Sequence, residues 1–115
     1  MVVIILIEQV IRILDPLLLA IRHGFAKDVQ IGRGVTIRDN NGNHYINRTG
    51  YKNTRPVIIG DKAWLCEGCT IMPGVKVGEG AIVGAHAFVT QNVPAHSVVS
   101  GNPAQVVDTD VLWKY

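Results

Sequence analysis

The stretch Ile59-Gly60-Asp61-Lys62-Ala63-Trp64-Leu65-Cys66-Glu67-Gly68-Cys69-Thr70-Ile71-Met72-Pro73-Gly74-Val75-Lys76-Val77 decides the fold. Its branched aliphatics Ile59, Leu65, Ile71 and Val77 fall six residues apart, and Val83 and Val89 continue the beat without a slip. Four residues after each comes Ala63, Cys69, Val75, Ala81, Ala87 or Val93, all small and apolar. Neither a 3.6-residue helix nor a two-residue strand alternation has this period. A beat of six describes a short strand and a turn, repeated in a stacked coil.

Upstream, Phe25, Ile31 and Ile37 keep the same step, with Val29 and Val35 four residues after the first two. The phase breaks between Ile37 and Ile59, a gap of 22 residues, so a segment is inserted there. Gly34, Asn40, Gly68, Gly74, Gly80 and Asn92 stand three residues after an aliphatic, where a corner calls for a left-handed backbone. Lys62 and His86 are the exceptions at that position. The expected unit has a large aliphatic pointing inward, a small residue filling the corner, and a Gly or Asn turning the chain. Three units close a triangular coil, and coils stack at about 4.8 Å. Each buried Ile, Leu or Val contributes roughly 1.5–3 kcal/mol. Such an interior leaves no room for a ligand, which moves chemistry to loops and to seams between subunits.

The chain has 115 residues, which bounds it to one small domain. Hydrophobic residues make up 48%, enough for a core, and the net charge of +2 carries no basic run of the kind nucleic-acid binders show. The expected organisation is an N-terminal apolar cap at 1–24, a first coil at 25–37, an extruded loop at 38–58, two regular coils at 59–94 and a C-terminal turn and tail at 95–115. Residues 1–21 are strongly apolar but are interrupted by Glu8, Arg12, Asp15 and Pro16, which argues against a membrane span. Glu8 and Arg12 stand four apart, as on a helix face, so a short helical cap over the open end of the coil is expected, with peripheral membrane contact as the alternative. Cys66 and Cys69 form a lone CxxC, but the repeat puts Cys69 inside and Cys66 on a turn, a structural reading. With no disulfide framework, a reducing, cytoplasmic setting is expected.

The off-phase segment carries His44, Tyr45, Arg48, Lys52 and Arg55, and no acidic residue lies between Asp39 and Asp61. A loop that leaves a rigid coil is a place for function. His44 is the candidate base, because a neutral imidazole with a pKa near 6.5 can take a proton at neutral pH. Asp39 either orients that ring or makes an Asx turn. His86 reads as a corner residue; His23 and His96 flank the regular units.

Together, Pro56–Leu65, Ile71–Val75, Val83–Thr90 and Gly101-Asn102-Pro103-Ala104 resemble the hexapeptide-repeat acyltransferases. The resemblance covers roughly residues 25 to 115 and is strongest to the sugar and capsule O-acetyltransferases and their xenobiotic acetyltransferase relatives. It implies an all-β solenoid, a left-handed parallel β-helix, assembled as a homotrimer with active sites between subunits. It further implies acetyl-CoA as acyl donor, a sugar-like small acceptor, and no metal or nucleic acid. His44 matches the family's general base. Trp64, Glu67, Ala85, Thr90, Gln91, Ala104 and Gln105 match cofactor-lining positions, although Trp64 could equally be a corner aromatic packed on the coil. The chain departs from the family at Gln91, Gln105 and Asp108, where relatives usually carry Lys or Arg that grip the nucleotide phosphates. Two other readings stay open. One is a non-catalytic trimeric module that has lost cofactor binding. The other is a gamma-class carbonic anhydrase, against which the histidine spacing speaks.

Overall fold

The computed structural model describes residues 2–5, 10–13, 28–39, 47–52 and 55–114. Its strands are β1 (Val2–Ile5), β2 (Val10–Ile13), β3 (Gln30–Ile31), β4 (Val35–Arg38), β5 (Val57–Gly60), β6 (Trp64–Leu65), β7 (Thr70–Ile71), β8 (Lys76–Val77), β9 (Ile82–Val83), β10 (Phe88–Val89), β11 (Val98–Gly101) and β12 (Ala104–Asp108). They form three sheets, ordered β1-β5-β8, β2-β4-β7-β10 and β3-β6-β9-β11-β12. Successive strands thus visit successive sheets, and each sheet is one wall of a prism.

The register shows the period directly. Ile58 pairs with Lys76, Trp64 with Ile82 and Thr70 with Phe88, all parallel and each 18 residues apart, or three hexads. Between the first and second coils Gln30 pairs with Trp64 and Thr36 with Thr70, at a separation of 34. The surplus over one coil is the inserted loop, and the coil closes above and below it as if it were absent.

Ile31, Ile37, Ile59, Leu65, Ile71, Val77, Val83 and Val89 point inward and are at most 8% exposed. Val35, Ala63, Cys69, Val75, Ala81 and Ala87 fill the corners at 0–1%. The left-handed corner is adopted by Gly34, Gly68, Gly74 and Gly80, and also by Lys62 (φ 58°) and His86 (φ 60°). Register thus overrides residue preference at the two places where sequence alone showed an exception.

A second set of glycines is glycine for a different reason. Gly32, Gly60 and Gly78 directly follow inward aliphatics and have no left-handed φ. A Cβ on Gly78 would stand 2.5 Å from the Ala95 nitrogen and 2.7 Å from its Cα. At this position the backbones of adjacent coils come too close for a side chain.

The last coil is two residues short. Val77 pairs with Val93 and Ile82 with Val98, each 16 apart. Asn92 therefore leaves the left-handed corner expected of it. Its side-chain Oδ1 accepts from the Lys76 N–H at 2.9 Å, while the Val93 N–H donates to the Lys76 carbonyl at 2.9 Å. Val93, read from the beat as a corner filler, becomes an inward strand residue, 3% exposed.

Over residues 2–5 and 10–13 the expected N-terminal helix is corrected to strand, and the remainder of the expected cap at 1–24 lies outside the described residues. β1 runs antiparallel to β5 with Val3 opposite Ile59, and β2 runs antiparallel to β4 with Ile11 opposite Ile37. The first coil would otherwise end in two open strand edges whose N–H and C=O groups need partners. A helix satisfies only its own backbone. The β-branched runs Val2-Val3-Ile4-Ile5 and Val10-Ile11 instead extend two walls of the prism.

At the other end β12 folds back antiparallel on β11 through the cis Asn102–Pro103 turn. The tail then returns along one corner of the stack. The Val111 N–H donates to the His96 carbonyl at 2.8 Å, and the Trp113 Nε1–H to the Lys62 carbonyl at 2.8 Å. Among the described residues no helix is long and apolar enough to cross a membrane.

Candidate functional site

Among the described residues, one concave surface lies at the C-terminal end of the packed prism. There the shortened turn after β10 and the returning strand β12 enclose a cavity of about 200 Å³. Val89, Val93 and Val99 contribute the apolar side, and Thr90, Gln91, Ala104 and Gln105 stand around it. These last four are all residues that the resemblance assigned to cofactor contact. Asn92, Pro103 and Val106 complete the lining, and sequence reasoning did not find them, because the two-residue shortening that brings them together has no signature of its own.

Glu67 and Ala85 lie 18 residues apart on one corner of the prism, one coil above the other, and both are exposed. The Glu67 carbonyl accepts the His86 N–H at 2.9 Å, and the His86 ring occupies the space a side chain on Gly68 would need. A Cβ on Gly84 would meet the Val99 carbonyl at 3.1 Å and Ser100 Oγ at 3.3 Å. Beside that corner, Gly84 therefore packs against the start of β11. Glu67 and Ala85 lie outside the cavity's lining, and four of the seven expected cofactor residues, Thr90, Gln91, Ala104 and Gln105, form part of it.

Trp64 does not join them. It lies on the outer face of β6, 40% exposed, with its ring 5.7 Å from that of Trp113 at an interplanar angle of 48°. Lys62 Nζ sits 5.7 Å from the same Trp113 ring. Lys62, Gly80, His96, Leu112, Trp113 and Lys114 line a separate groove of about 340 Å³ on that corner. The corner-packing alternative for Trp64 is the one its described neighbours favour.

Among the described residues, no lysine or arginine lines the terminal cavity. Of the lysines, Lys62 and Lys114 line the Trp113 groove, and Lys76 is not among the cavity's lining residues. Asp108 uses a side-chain oxygen locally, accepting the Thr109 N–H at 2.8 Å. The site at this end offers hydroxyl, amide and backbone groups around an apolar floor, a lining that suits an amide-bearing, elongated ligand better than a bare polyanion.

The extruded loop leaves the prism through a defined neck. The Arg55 N–H donates to the Asp39 carbonyl at 2.7 Å, and the Gly74 N–H donates to the Arg55 carbonyl at 3.2 Å. Asp39 is 2% exposed. His44 falls outside the described residues, as do Tyr45 and Asn40.

Neither cysteine is set up for chemistry. Both are free thiols, and burial raises Cys66. Burial above all, with Cys66 nearby, pushes Cys69 up to about 12. Neither is therefore a thiolate near neutral pH.

Residues 56–91 match the family described as bacterial transferase hexapeptide (six repeats). Over 65 residues the chain is 40% identical to a Staphylococcus aureus (strain Mu50) protein named "Putative acetyltransferase SAV2555", covering 56% of this chain and 33% of that protein. The chain spans about a third of the length of such curated relatives. Among solved structures, the polySia-specific acetyltransferase NeuO superposes with a TM-score of 0.72 at 29% identity, covering 76% of this chain and 42% of NeuO. The acetyltransferase VCA0836 of Vibrio cholerae, solved in complex with acetyl coenzyme A, superposes with a TM-score of 0.62 at 27% identity, covering 72% and 46%. The chain thus folds as a β-helix with a hexapeptide-repeat match over residues 56–91, and the proteins it is similar to, in sequence and in fold, are named acetyltransferases.

Proposed function

We propose that this chain acts as an acetyl-CoA-dependent O-acetyltransferase on a hydroxyl of a sugar or related small acceptor, as a homotrimer in the cytoplasm. The observation that carries the reading is the convergence of Thr90, Gln91, Ala104 and Gln105 on one cavity. NeuO and VCA0836 support the reaction class, and the acetyl coenzyme A complex of VCA0836 supports the donor.

When bound, the cofactor supplies an acetyl thioester. The chain supplies the rest. His44, carried on the loop that leaves the coil at Asp39, is the general base: its neutral imidazole takes the proton of the acceptor hydroxyl as that oxygen becomes the nucleophile. The exposed corner at Ala85 suits backbone contacts to an amide-rich arm. Gln91 and Gln105 offer neutral amide donors where relatives place cations. Direct transfer needs no covalent acyl-enzyme, which agrees with two thiols held protonated.

One observation favours a second reading. Among the described residues no cation lines the cavity, which suits a trimeric scaffold that has lost cofactor affinity. Thermal unfolding with and without acetyl-CoA separates the two. The enzyme reading expects a saturable rise in Tm and loss of transfer in His44→Ala with the Tm rise retained. The scaffold reading expects no Tm response at millimolar cofactor.

A further inference from the structure

The groove beside Trp113 holds about 340 Å³, against about 200 Å³ for the terminal cavity, and of the two only the groove reaches the size usual for small-molecule sites. It is built by the returning tail. The tail is pinned at two heights of one corner, by the Val111 N–H on the His96 carbonyl and by the Trp113 Nε1–H on the Lys62 carbonyl, both 2.8 Å. Lys62, Gly80 and His96 stand on that corner in successive coils, all with left-handed φ (58°, 66° and 56°). The corner closes by its own bonds, the Gly80 N–H on the Asp61 carbonyl at 2.9 Å and the His96 N–H on the Glu79 carbonyl at 2.8 Å. The tail is therefore laid over a corner that is already complete.

The corner side of the groove has no side chain at its middle coil. A Cβ on Gly80 would stand 2.5 Å from His96 Nδ1 and 2.7 Å from its Cε1, so the imidazole of the next coil takes that place. The facing wall is Trp113 with Leu112, and Leu112 is 87% exposed, apolar surface that packing within the chain leaves uncovered. Three contacts set the Trp113 ring: its bond to the Lys62 carbonyl, the Trp64 ring at 5.7 Å and Lys62 Nζ at 5.7 Å. An aromatic wall held this way loses little freedom when a second ring packs on it. Lys62 and Lys114 complete the lining, and Asp61 and Glu79, on the same corner, are not part of it. An ammonium has three donors, so each lysine can meet an anion while keeping another contact.

We infer that this groove is a nucleotide-binding site, with a flat heteroaromatic base against Trp113 and Leu112 and its phosphate on Lys62 and Lys114. Base stacking needs the ring and the phosphate needs charged donors, and the groove brings both into one lining. The terminal cavity has neither an aromatic ring nor a lysine among its described lining residues. Two sources share this chemistry, the adenosine phosphate end of acetyl-CoA and a free nucleotide. Only the first rests on the acetyl-transfer reading above; the binding of a nucleotide does not.

The test titrates AMP, adenosine and inorganic phosphate into the full chain, followed by tryptophan fluorescence and calorimetry. Trp64 and Trp113 are the chain's two tryptophans, so the fluorescence reports on this corner. The expected result is saturable quenching by AMP, with a Kd about tenfold or more below that of adenosine or of phosphate, since AMP alone carries both ring and charge. Lys114→Gln should weaken AMP by about fivefold or more and leave adenosine unchanged, with the loss shrinking in high salt. Lys114 is exposed, so its replacement does not threaten the fold. Trp113→Ala should weaken AMP and adenosine alike by about tenfold or more, and Trp113→Phe should recover most of that loss. Absence of AMP binding, or an AMP-to-adenosine ratio that Lys114→Gln leaves unchanged, overturns the inference. AMP that competes with acetyl-CoA marks the groove as the seat of the cofactor's nucleotide end, and AMP that binds alongside it marks a separate nucleotide. If AMP binds as stated and no sugar is acetylated, the site stands and acetyl transfer fails. If sugars are acetylated while AMP neither binds nor competes, transfer stands and the site fails.

Discussion

Replacing Gly78 with alanine probes the close coil-to-coil approach at its tightest described point. The added Cβ would meet the Ala95 nitrogen at 2.5 Å, the Ala95 Cα at 2.7 Å and the Pro94 carbonyl carbon at 2.9 Å, all main-chain atoms that no rotamer change can move. Relief requires the second and third coils to part. That separation strains the Gly78 N–H bond to the Val93 carbonyl and the His96 N–H bond to the Glu79 carbonyl, both 2.8 Å. Overpacking costs about 1–3 kcal/mol, and each weakened hydrogen bond adds about 0.5–1.5 kcal/mol. The loss of unfolded-chain freedom on going from Gly to Ala returns only about 0.4–1 kcal/mol. A net destabilisation of about 3 kcal/mol follows, a large share of the roughly 5–15 kcal/mol typical of a domain. The control is Gly50→Ala, where φ is +81° but nothing lies within 4 Å of the new Cβ, so only the left-handed strain of about 1–2 kcal/mol applies. Urea unfolding of the two variants and the parent chain, at one protomer concentration, reads the difference as a change in midpoint. If Gly78→Ala is no less stable than Gly50→Ala, the coils are not in contact as described and the reasoning is wrong.

Two further predictions concern the core thiol and the cavity. Because burial raises Cys69 to about 12, the unfolded chain loses that proton at a lower pH than the folded one, so the stability tied to this thiol is whole below pH 9 and falls as pH climbs toward 12. Unfolding free energies measured from pH 7 to 10.5 should therefore fall more steeply for the parent than for Cys69→Ala, and parallel slopes would show that the thiol titrates normally. Gln91→Lys restores a cation beside the terminal cavity and should tighten acetyl-CoA binding about tenfold or more, with the gain shrinking in high salt; an unchanged Kd would place the cofactor phosphates elsewhere.

The solenoid was legible because its signal is redundant. Ile59, Leu65, Ile71, Val77, Val83 and Val89 repeat one physical requirement six times, and all six are buried at 2% or less. The N-terminal strands were harder. Glu8 and Arg12 carry a helix-like spacing, and only the open edges of β4 and β5, a tertiary property, make β1 and β2 the better solution. The two-residue shortening of the last coil was likewise hidden, since Val93 fits the beat by count while its register is set by the Asn92 side chain standing in for a backbone acceptor. Gly32, Gly60 and Gly78 escaped notice for a related reason: a turn glycine and a close-approach glycine look the same in a sequence. Of the site, Thr90, Gln91, Ala104 and Gln105 were found through family motifs, and Pro103 and Val106 only through the hairpin that carries them to the same cavity. Trp64 was half read, as an exposed aromatic whose partner, Trp113, lies 49 residues further along the chain.

The most direct measurement is the fate of a labelled acetyl group. Purified chain is incubated with labelled acetyl-CoA and a panel of neutral and anionic sugars, and the products are resolved by mass. The account predicts an O-acetylated sugar formed at a rate that scales with protein and vanishes in His44→Ala. Label that stays on coenzyme A with every sugar, in a chain that is folded and has cofactor bound, would contradict it.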